Sequence, residues 1–236
     1  MKYENIKEAV FIKRTNRFIA ACIIDGIEEK VYVPNTGRCK ELFITGSKVY
    51  VSKSNNPKRV TKYTLTSVYK DKRLINIDSQ APNSIVEEAL KAGTIFKEYN
   101  FSKIVREKTF NNSRFDIYYE AIKDDKEIKG FIEVKGVTLE EDNIAYFPDA
   151  PTLRGLKHIQ ELVIAKEKGY SSHIVFLVQM ENIKSFLPNV KMQPEFGSEL
   201  NKAQHQGVEI KSFECRVKAD EILLSKEVPV GDLSSF

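Results

Sequence analysis

Two carboxylates and a lysine stand on two β-strands that the sequence predicts to be neighbours. Asp116 lies in an apolar and aromatic run, and Glu133 and Lys135 follow in the next one. Because side chains alternate along a strand, Glu133 and Lys135 share one face, about 7 Å apart. Carboxylate oxygens suit Mg²⁺ or Mn²⁺, and a nearby lysine can orient a water or offset charge on a phosphate. The spacing therefore predicts a divalent-metal site for phosphodiester chemistry, with the solvated face of a strand as the alternative.

A third polar ligand would have to come from a helix packed on these strands. The apolar stripe of residues 84–92 predicts such a helix, with Ser84 and Glu87 forming a capping box at its start. Glu87 and Glu88 flank the stripe symmetrically, so helical geometry does not choose between them. Because the capping box occupies Glu87, we favour Glu88 as the catalytic-site residue, with an ordinary solvent-facing glutamate as the alternative for either residue.

A second helix, predicted over residues 152–168, has polar groups on one stripe beside its apolar face. Arg154, His158 and Glu161 follow one another at helical spacing. Arg154 and Lys157 lie near the helix start, where free N–H groups also favour phosphates. His158 is a candidate for orienting a water or phosphate, with an inert helix-surface histidine as the alternative. Glu161 is a candidate for orienting Arg154 or His158, with a metal ligand as the alternative.

Composition limits the class of protein. The chain has 236 residues, of which 42% are hydrophobic, enough for one large domain or two small ones. No run approaches the roughly 20 apolar residues of a membrane span, and the short apolar run 18–24 does not make a signal peptide. We therefore expect a cytoplasmic protein with no membrane partner. Cys22, Cys39 and Cys215 lie far apart and are expected to be small buried hydrophobic residues.

Charge is distributed unevenly along the chain. Residues 1–82 contain 16 basic and 8 acidic residues, whereas residues 83–236 contain 21 basic and 25 acidic ones. A basic N-terminal third followed by an acidic remainder suggests a module that binds a polyanion, with nucleic acid as the first candidate.

The N-terminal third is a succession of predicted strands. Short runs rich in β-branched and aromatic residues alternate with turn residues between residues 9 and 78, and a short helix is expected over residues 38–43. This pattern is typical of a five-stranded barrel of the oligonucleotide/oligosaccharide-binding (OB) type, with an SH3-like barrel as the nearest rival.

One loop of this barrel, residues 53–59, concentrates positive charge. Its lysines and arginine could contact phosphates, and Tyr50 or Tyr63 could stack on unpaired bases; a solvated hairpin with core tyrosines is the alternative. The candidate nucleic-acid-binding residues of the barrel are Lys53, Lys58, Arg59 and Lys62.

After a boundary near residues 81–82 the pattern changes to strands mixed with helices. We expect residues 1–82 and 83–236 to form separate domains, the second an α/β (α+β) layer arrangement. Its predicted strands cover residues 96–101, 104–109, the runs around Asp116 and Glu133, 173–180 and 208–214, and its helices include 152–168 and 195–206.

For two loop segments, a structural role is the preferred interpretation. Pro34, Asn35, Thr36 and Gly37 predict a turn, with a ligand contact as the alternative. The segment 145–152 contains two prolines before the second helix, which Asp149 or Thr152 can cap, and a ligand contact by Tyr146 is left open.

Taken together in their order, five segments of the chain resemble the sugar fermentation stimulation protein A family. The resemblance extends over essentially the whole chain. The segments are PNTG at 34–37, SRFD at 113–116, IEVKGVTL at 132–139, YFPDA at 146–150 and RGLKH at 154–158.

This resemblance implies an OB-like barrel followed by a domain similar to the PD-(D/E)xK nucleases. It also implies that Asp116 is the motif aspartate, that Glu133 and Lys135 are the ExK pair, and that Glu88 is the helix glutamate. The residue before Asp116 is Phe115 and not the proline that names the motif. Members of the family are described as DNA-binding proteins connected with the control of maltose-utilisation genes.

Three functions follow as hypotheses. The first is a DNA-binding regulator, of single or double strands, with a metal site. The second is a Mg²⁺-dependent nuclease in which Asp116 and Glu133 bind metal with the Val134 carbonyl and Lys135 positions a water. The third is an oligosaccharide-binding protein, which the basic charge opposes because a neutral glycan gains nothing from it.

Overall fold

A β-barrel opens the chain in the computed structural model, which describes residues 1–35, 37–234 and 236. Thr36 of the predicted turn thus lies outside the described residues. Five strands close into a ring because β3 pairs with β5 as well as with β2, and the sixth strand extends the sheet beside β5. The strands are β1 Ile6–Asn16, β2 Ile19–Ile24, β3 Ile27–Tyr32, β4 Lys48–Lys53, β5 Tyr63–Lys70 and β6 Arg73–Asn76.

Alternation of buried and exposed residues explains why these segments form strands. In β4, for example, Val49 and Val51 are fully buried while their neighbours reach solvent. The OB-like prediction is confirmed, but the helix expected over residues 38–43 is wrong. Only one turn forms there, with Leu42 and Phe43 both donating to the Cys39 carbonyl, and Cys39 has a positive φ of 42°. So short a segment does not offset the cost of starting a helix.

Helix α1, Ala81–Lys91, follows the barrel and begins three residues earlier than expected. The capping box of Ser84 and Glu87 is therefore wrong, because Ser84 lies inside the helix. Pro82 occupies the first turn, where its fixed φ and missing N–H are tolerated, and Asp78 accepts the backbone N–H of Gln80 at 3.0 Å. The division of the chain between residues 82 and 83 stays a prediction.

A six-stranded mixed sheet forms the centre of the C-terminal part, in the order β15-β14-β12-β9-β8-β7. The strands β9, β12 and β14 run parallel, and the outer pairs are antiparallel. The strands are β7 Asn100–Phe110, β8 Ser113–Lys123, β9 Lys126–Val137, β12 Ser171–Val178, β14 Glu209–Val217 and β15 Ile222–Glu227.

The strands expected at 96–101 and 104–109 are in fact the single strand β7. Residues before Asn100 form a turn, because Phe96 has a positive φ of 50° and its carbonyl accepts the Tyr99 N–H. The apparent break in the sequence pattern is an irregular register between Phe101 and Lys103, where β7 shifts against β8.

Two helices and a small sheet complete the fold. Helix α2, Leu153–Glu167, starts where expected, and the Thr152 hydroxyl caps it by accepting the Gly155 N–H at 2.9 Å. The sequence patterns did not indicate the small sheet. The remaining elements are β10 Leu139–Glu141, β11 Ile144–Phe147, β13 Ser185–Pro188 and α3 Pro194–His205.

Buried apolar residues connect the barrel with the mixed sheet in one core. A single cluster runs from Phe11 and Val51 of the barrel to Phe115 and Phe176 of the sheet, while α1 packs on the other sheet face with Ile132 and its neighbours. All three cysteines are free and buried, as expected. No helix in the described residues is both long and apolar enough to cross a membrane.

An ion-pair network joins the barrel to strand β10. The Glu140 carboxylate, 7% exposed, accepts Lys70 Nζ and Arg73 at 2.9 Å each, and it also accepts the Asn143 N–H at 2.6 Å. Burial would raise the pKa of Glu140, but Lys70, the Asn143 N–H and Arg73 together lower it below its ordinary value of 4.5.

Glu140→Gln is expected to lower the free energy of unfolding at pH 7 by about 2 kcal/mol, because two cations lose their buried partner. A depressed pKa stabilises the fold above the unfolded-state pKa, so the difference should shrink as pH falls from about 4.5 through the lower folded value. Urea unfolding across this pH range measures it. The control is Glu141→Gln, which changes the exposed residue that follows Glu140. An equal loss of unfolding free energy in both variants would contradict the role assigned to Glu140.

Candidate functional site

Strands β8 and β9 separate at the position of the predicted site. The last residue pair at this end of the two strands is Ile117 opposite Ile132, and Asp116 is the residue of β8 just before Ile117. Asp116 Oδ2 accepts the backbone N–H of Val134 at 2.8 Å, so the side chain replaces the carbonyl that a continuing strand would supply. This bond fixes Asp116 beside Glu133, its sequence-predicted partner.

Glu133 is the most deeply buried group of the site, at 2% exposure. Its Oε1 accepts Lys135 Nζ at 2.6 Å and also contacts His158 Nδ1. Its Oε2 is buried and has no hydrogen-bond partner among the described residues. An orphaned carboxylate oxygen in a buried position is costly unless another group binds it.

His158 connects this carboxylate to the start of helix α2. The Arg154 Nε donates to His158 Nε2 at 3.4 Å, so Nε2 is the acceptor and Nδ1 carries the proton that Glu133 accepts. The structure therefore brings Asp116, Glu133, Lys135, His158 and Arg154 together.

The two carboxylates differ in their affinity for protons. Burial raises the pKa of Asp116, and the neighbouring charge of Glu133 raises it further. Burial would also raise the pKa of Glu133, but the charges and hydrogen bonds of Lys135 and His158 lower it below its ordinary value. Glu133 is thus held as the anion while Asp116 is the easier group to protonate.

Asn83 belongs to the site, and the sequence analysis missed it. Its Nδ2 donates to Asp116 Oδ1 at 2.8 Å from the first turn of α1. The signal that could have found it is Pro82, which marks the first turn of the helix and would have placed Asn83 at the end that faces the strands.

Asn83→Ala is expected to raise the pKa of Asp116 further above its ordinary value, because the amide donor stabilises the ionised carboxylate. A pH titration of the carboxyl carbon by NMR measures the change. Ser84→Ala, which alters the next residue of α1, should leave the Asp116 titration unchanged. An Asp116 pKa that stays the same or falls in Asn83→Ala would contradict this role.

Glu88 lies away from the site. Its side chain is 56% exposed, and Oε2 pairs with the N-terminal amine of Met1 at 3.0 Å. The helix starts three residues earlier than predicted, and Asn83 reaches Asp116 in its place. Glu87 pairs with Lys91 at 2.6 Å. Glu161 is buried, and within the described residues it has no hydrogen bond to Arg154 or His158.

The predicted nucleic-acid-binding residues fall into two groups. Lys53 and Lys58 are exposed, and no ion pair to either occurs in the described part of the chain. The other four have protein partners, and Tyr63 is a buried core residue. Arg59 contacts Thr64 at 3.1 Å, Lys62 pairs with Glu29 at 3.2 Å, Lys157 donates to the Asn112 carbonyl at 2.7 Å, and Arg154 donates to His158.

The carboxylates of the site could bind a hard cation only together with oxygen ligands that are not side chains. Residues 1–35, 37–234 and 236 contain no cluster of three or more His, Cys, Asp or Glu side chains arranged as metal ligands. Asp116 and Glu133 supply two carboxylates, so a cation there would need backbone carbonyl or water oxygens to complete its shell.

Two family models match successive parts of the chain. Residues 12–77 match the SfsA N-terminal OB domain, and residues 80–221 match the sugar fermentation stimulation protein RE domain. Among curated relatives, a sugar fermentation stimulation protein homolog from Ruminiclostridium cellulolyticum is 50% identical, covering 98% of this chain and 99% of its own. A homolog from Clostridium tetani is also 50% identical, covering 96% and 97% respectively.

One solved structure is similar over nearly the full length. SfsA from Pyrococcus furiosus, determined in complex with Ca²⁺, is 28% identical to this chain. The match covers 98% of both chains with a TM-score of 0.85. The order and geometry of the barrel and the mixed sheet are therefore common to both proteins.

Proposed function

Because the chain belongs to the sugar fermentation stimulation protein family, we propose that it is a DNA-binding protein that holds a divalent cation at Asp116 and Glu133. The observation that carries this proposal is the buried Glu133 carboxylate, which lies beside Asp116 and keeps one oxygen without a hydrogen-bond partner. Such an oxygen is a ready ligand for a hard cation.

Several features support a cation of the Mg²⁺, Mn²⁺ or Ca²⁺ type. Both side-chain donors are carboxylates, and the Val134 carbonyl is the backbone group expected to assist them. The relative from Pyrococcus furiosus was solved with Ca²⁺, which is consistent with oxygen ligands. When bound, such a cation neutralises phosphate charge and makes a bound water more acidic.

The neighbouring side chains have distinct tasks in this proposal. Lys135 offsets negative charge and keeps Glu133 ionised through its 2.6 Å contact. His158 fixes the orientation of Glu133, and Arg154 fixes the tautomer of His158. Asn83 orients Asp116. Arg154 is exposed and lies next to the phosphate-accessible start of α2, so it can also contact the DNA backbone.

DNA affinity comes mainly from the basic barrel in this proposal. Lys53 and Lys58 are exposed lysines of the loop 53–59, which makes them the first candidates for phosphate contacts. Control of maltose-utilisation genes is the biological role that we propose for this DNA binding, in keeping with the family's name.

Hydrolysis of the DNA backbone is the second candidate function, and Lys135 favours it. A lysine held against a metal-binding glutamate can position a water and stabilise charge on the phosphate. DNA binding alone would not require a lysine at this partly buried position.

The test is fluorescence anisotropy with labelled single-stranded, double-stranded and branched DNA over a range of salt concentrations. We expect affinity to fall steeply with salt, and the double variant Lys53→Ala/Lys58→Ala to reduce the salt slope by about 2. The control Lys126→Ala/Lys129→Ala removes two exposed lysines from a distant hairpin. Absence of DNA binding would contradict the proposal, and salt-independent binding of maltodextrin would favour the oligosaccharide hypothesis.

A further inference from the structure

A cavity of about 170 Å³ lies where the barrel meets the mixed sheet, and the site described above does not use it. It is bounded by a barrel loop, by the ends of β9 and β12, and by the segment that leads into α2. The residues that matter for its chemistry are Asn35, Gly37, Gly136, Tyr146, Asp149 and Gln179.

The cavity adjoins the candidate metal site along one strand. Gly136 lines the cavity and directly follows Lys135, so the rise of an extended strand separates Gly136 from Glu133 by about 10 Å. Strands β9 and β12 are parallel, and the cavity lies beyond their carboxyl ends, where open α/β sheets bind ligands. A DNA strand with a phosphate at Glu133 would bring a neighbouring nucleotide to this cavity.

Two glycines leave room for hydrogen-bond acceptors at the cavity. A Cβ on Gly37 would overlap Asp149 Oδ2, and a Cβ on Gly136 would lie 2.6 Å from Gln179 Oε1. Neither glycine has a positive φ, so their backbone conformations do not require glycine. The absence of a side chain at each position therefore lets an acceptor oxygen lie close against the backbone at the cavity.

These acceptors are fixed in place, and their hydrogen-bonding capacity is unused. Gln179 is 1% exposed, and its Nε2 donates to Asn76 Oδ1 at 2.8 Å and to the Asp78 carbonyl at 3.0 Å, which sets the orientation of the amide. Gln179 Oε1 and the Asp149 carboxylate accept no hydrogen bond from the described residues. An amide oxygen and a carboxylate at the cavity lining are thus both available to a donor.

The other walls favour a planar ligand with donor groups. Tyr146 supplies aromatic surface, on which a base stacks, whereas the ring of Phe147 packs against Phe176 and Phe196 in the core. Asp149 makes the cavity anionic, and it also contributes to the raised pKa of the neighbouring Glu41, for which burial is the larger cause. A phosphate would be repelled here, whereas N–H groups would be attracted.

The barrel loop beside the cavity is held by one arginine. Arg14 donates to the carbonyls of Gly37 and Asn35 at 2.6 Å each and to that of Arg38 at 3.0 Å. These bonds fix Gly37 against Asp149 without occupying either acceptor. The cavity is therefore formed in advance rather than made by a ligand.

We propose that this cavity binds an unpaired guanine base of a DNA strand that lies across the Asp116–Glu133 site. Among the four bases, guanine alone has two adjacent donors on its Watson–Crick edge, the N1–H and the N2 amine, which match the two oxygens of a carboxylate. The base would stack on the aromatic wall, as in sites that read an extruded base. This inference rests on the proposed DNA-binding function.

Anisotropy titrations of the full chain with 12-nucleotide oligothymidylates test it. One strand is all thymidine, and three carry a single guanine, hypoxanthine or adenine base. We expect about tenfold tighter binding of the guanine strand than of the other three. Hypoxanthine is the decisive comparison, because it differs from guanine only by the missing 2-amino group.

Asp149→Asn should reduce the guanine preference to less than about twofold while leaving affinity for the all-thymidine strand unchanged. Tyr146→Leu, which removes an aromatic surface of the cavity, should also lower the guanine preference and provides an independent variant. Asp142→Asn is the matched control in an exposed turn, where φ is 54° and asparagine is tolerated. It should keep the preference.

The outcomes separate this inference from the proposed function. Equal binding of all four strands, or a guanine preference that survives in Asp149→Asn, would overturn the guanine site and leave DNA binding intact. No binding of any of these strands would overturn the guanine site, and no binding of double-stranded or branched DNA either would overturn the proposed function as well. Binding of free GMP, measured by calorimetry, without binding of any strand would show a free-nucleotide site and would likewise overturn the inference.

Discussion

Glu133→Gln is expected to weaken binding of Ca²⁺ or Mn²⁺ by at least about 100-fold. Even residues that only support metal ligands typically contribute 10- to 100-fold, and Glu133 is the buried, ionised donor of the site. Glutamine keeps the shape of the side chain but loses the charge that Lys135 and His158 favour. Isothermal titration calorimetry of the purified chain measures the affinity.

Glu161→Gln is the matched control for this prediction. Glu161 is also a buried glutamate with one oxygen that lacks a hydrogen-bond partner among the described residues. The Glu161→Gln variant should bind the cation with the same affinity as the parent chain. Equal loss in both variants would show that any buried carboxylate matters, and unchanged affinity in Glu133→Gln would remove Glu133 from the site.

Lys135→Met is expected to have opposite effects on cation binding and on DNA cleavage. Removal of a positive charge beside the carboxylates should tighten cation binding several-fold. If the chain hydrolyses DNA, the same change should slow metal-dependent cleavage by about 10²- to 10⁴-fold, because the group that positions water and stabilises charge is lost. Calorimetry and product analysis on denaturing gels give the two measurements.

A general loss of structure would lower both quantities in Lys135→Met, so the opposite signs identify a specific role. Lys129→Met changes an exposed lysine on the same strand and should alter neither quantity. Cleavage at the parent rate in Lys135→Met would assign the water to another group. Weaker cation binding would show that Lys135 supports the fold of the site.

The strand pair that forms the site was predictable because its pattern is local. Successive side chains of a strand point to opposite faces, so Glu133 and Lys135 were expected to share a face, and they are indeed in contact. Whether contacts from a helix could be predicted depended on where that helix begins. Asp149 or Thr152 was expected to cap α2, and Thr152 does so, but the contact of His158 with Glu133 was not predicted.

Helix α1 shows why the rest of the site was not predictable from the sequence. A capping box at Ser84 and a start at Ala81 are both compatible with its residues, and only packing decides between them. Pro82 lies against Gly136, which brings the first turn of α1 to the strands and carries Asn83 to Asp116. Glu88 was selected from the wrong start, and the helix turns it towards the N-terminal amine.

Pairing between strands that are distant in sequence likewise limited the prediction of the fold. The barrel strands were predictable from alternation, but the ring closes through only two residue pairs between β3 and β5. The small sheet β10-β11-β13 has strands of three or four residues, too short for a periodic pattern, and its parallel pair joins segments about 40 residues apart. Its role in bounding the cavity between the barrel and the mixed sheet was therefore not predictable from the sequence.

The most direct test of a cation site that acts on DNA is affinity for DNA with and without the cation. Single-stranded, double-stranded and branched DNA are titrated in Ca²⁺, Mg²⁺, Mn²⁺ or EDTA, with the parent chain and with Glu133→Ala, and the Mg²⁺ and Mn²⁺ samples are also examined for cleavage. We expect a cation to tighten DNA binding by the parent chain, because it neutralises carboxylates that repel phosphate, and to have no effect on Glu133→Ala. Identical DNA affinity of the parent chain in cation and in EDTA, or a cation effect that persists in Glu133→Ala, would contradict the account.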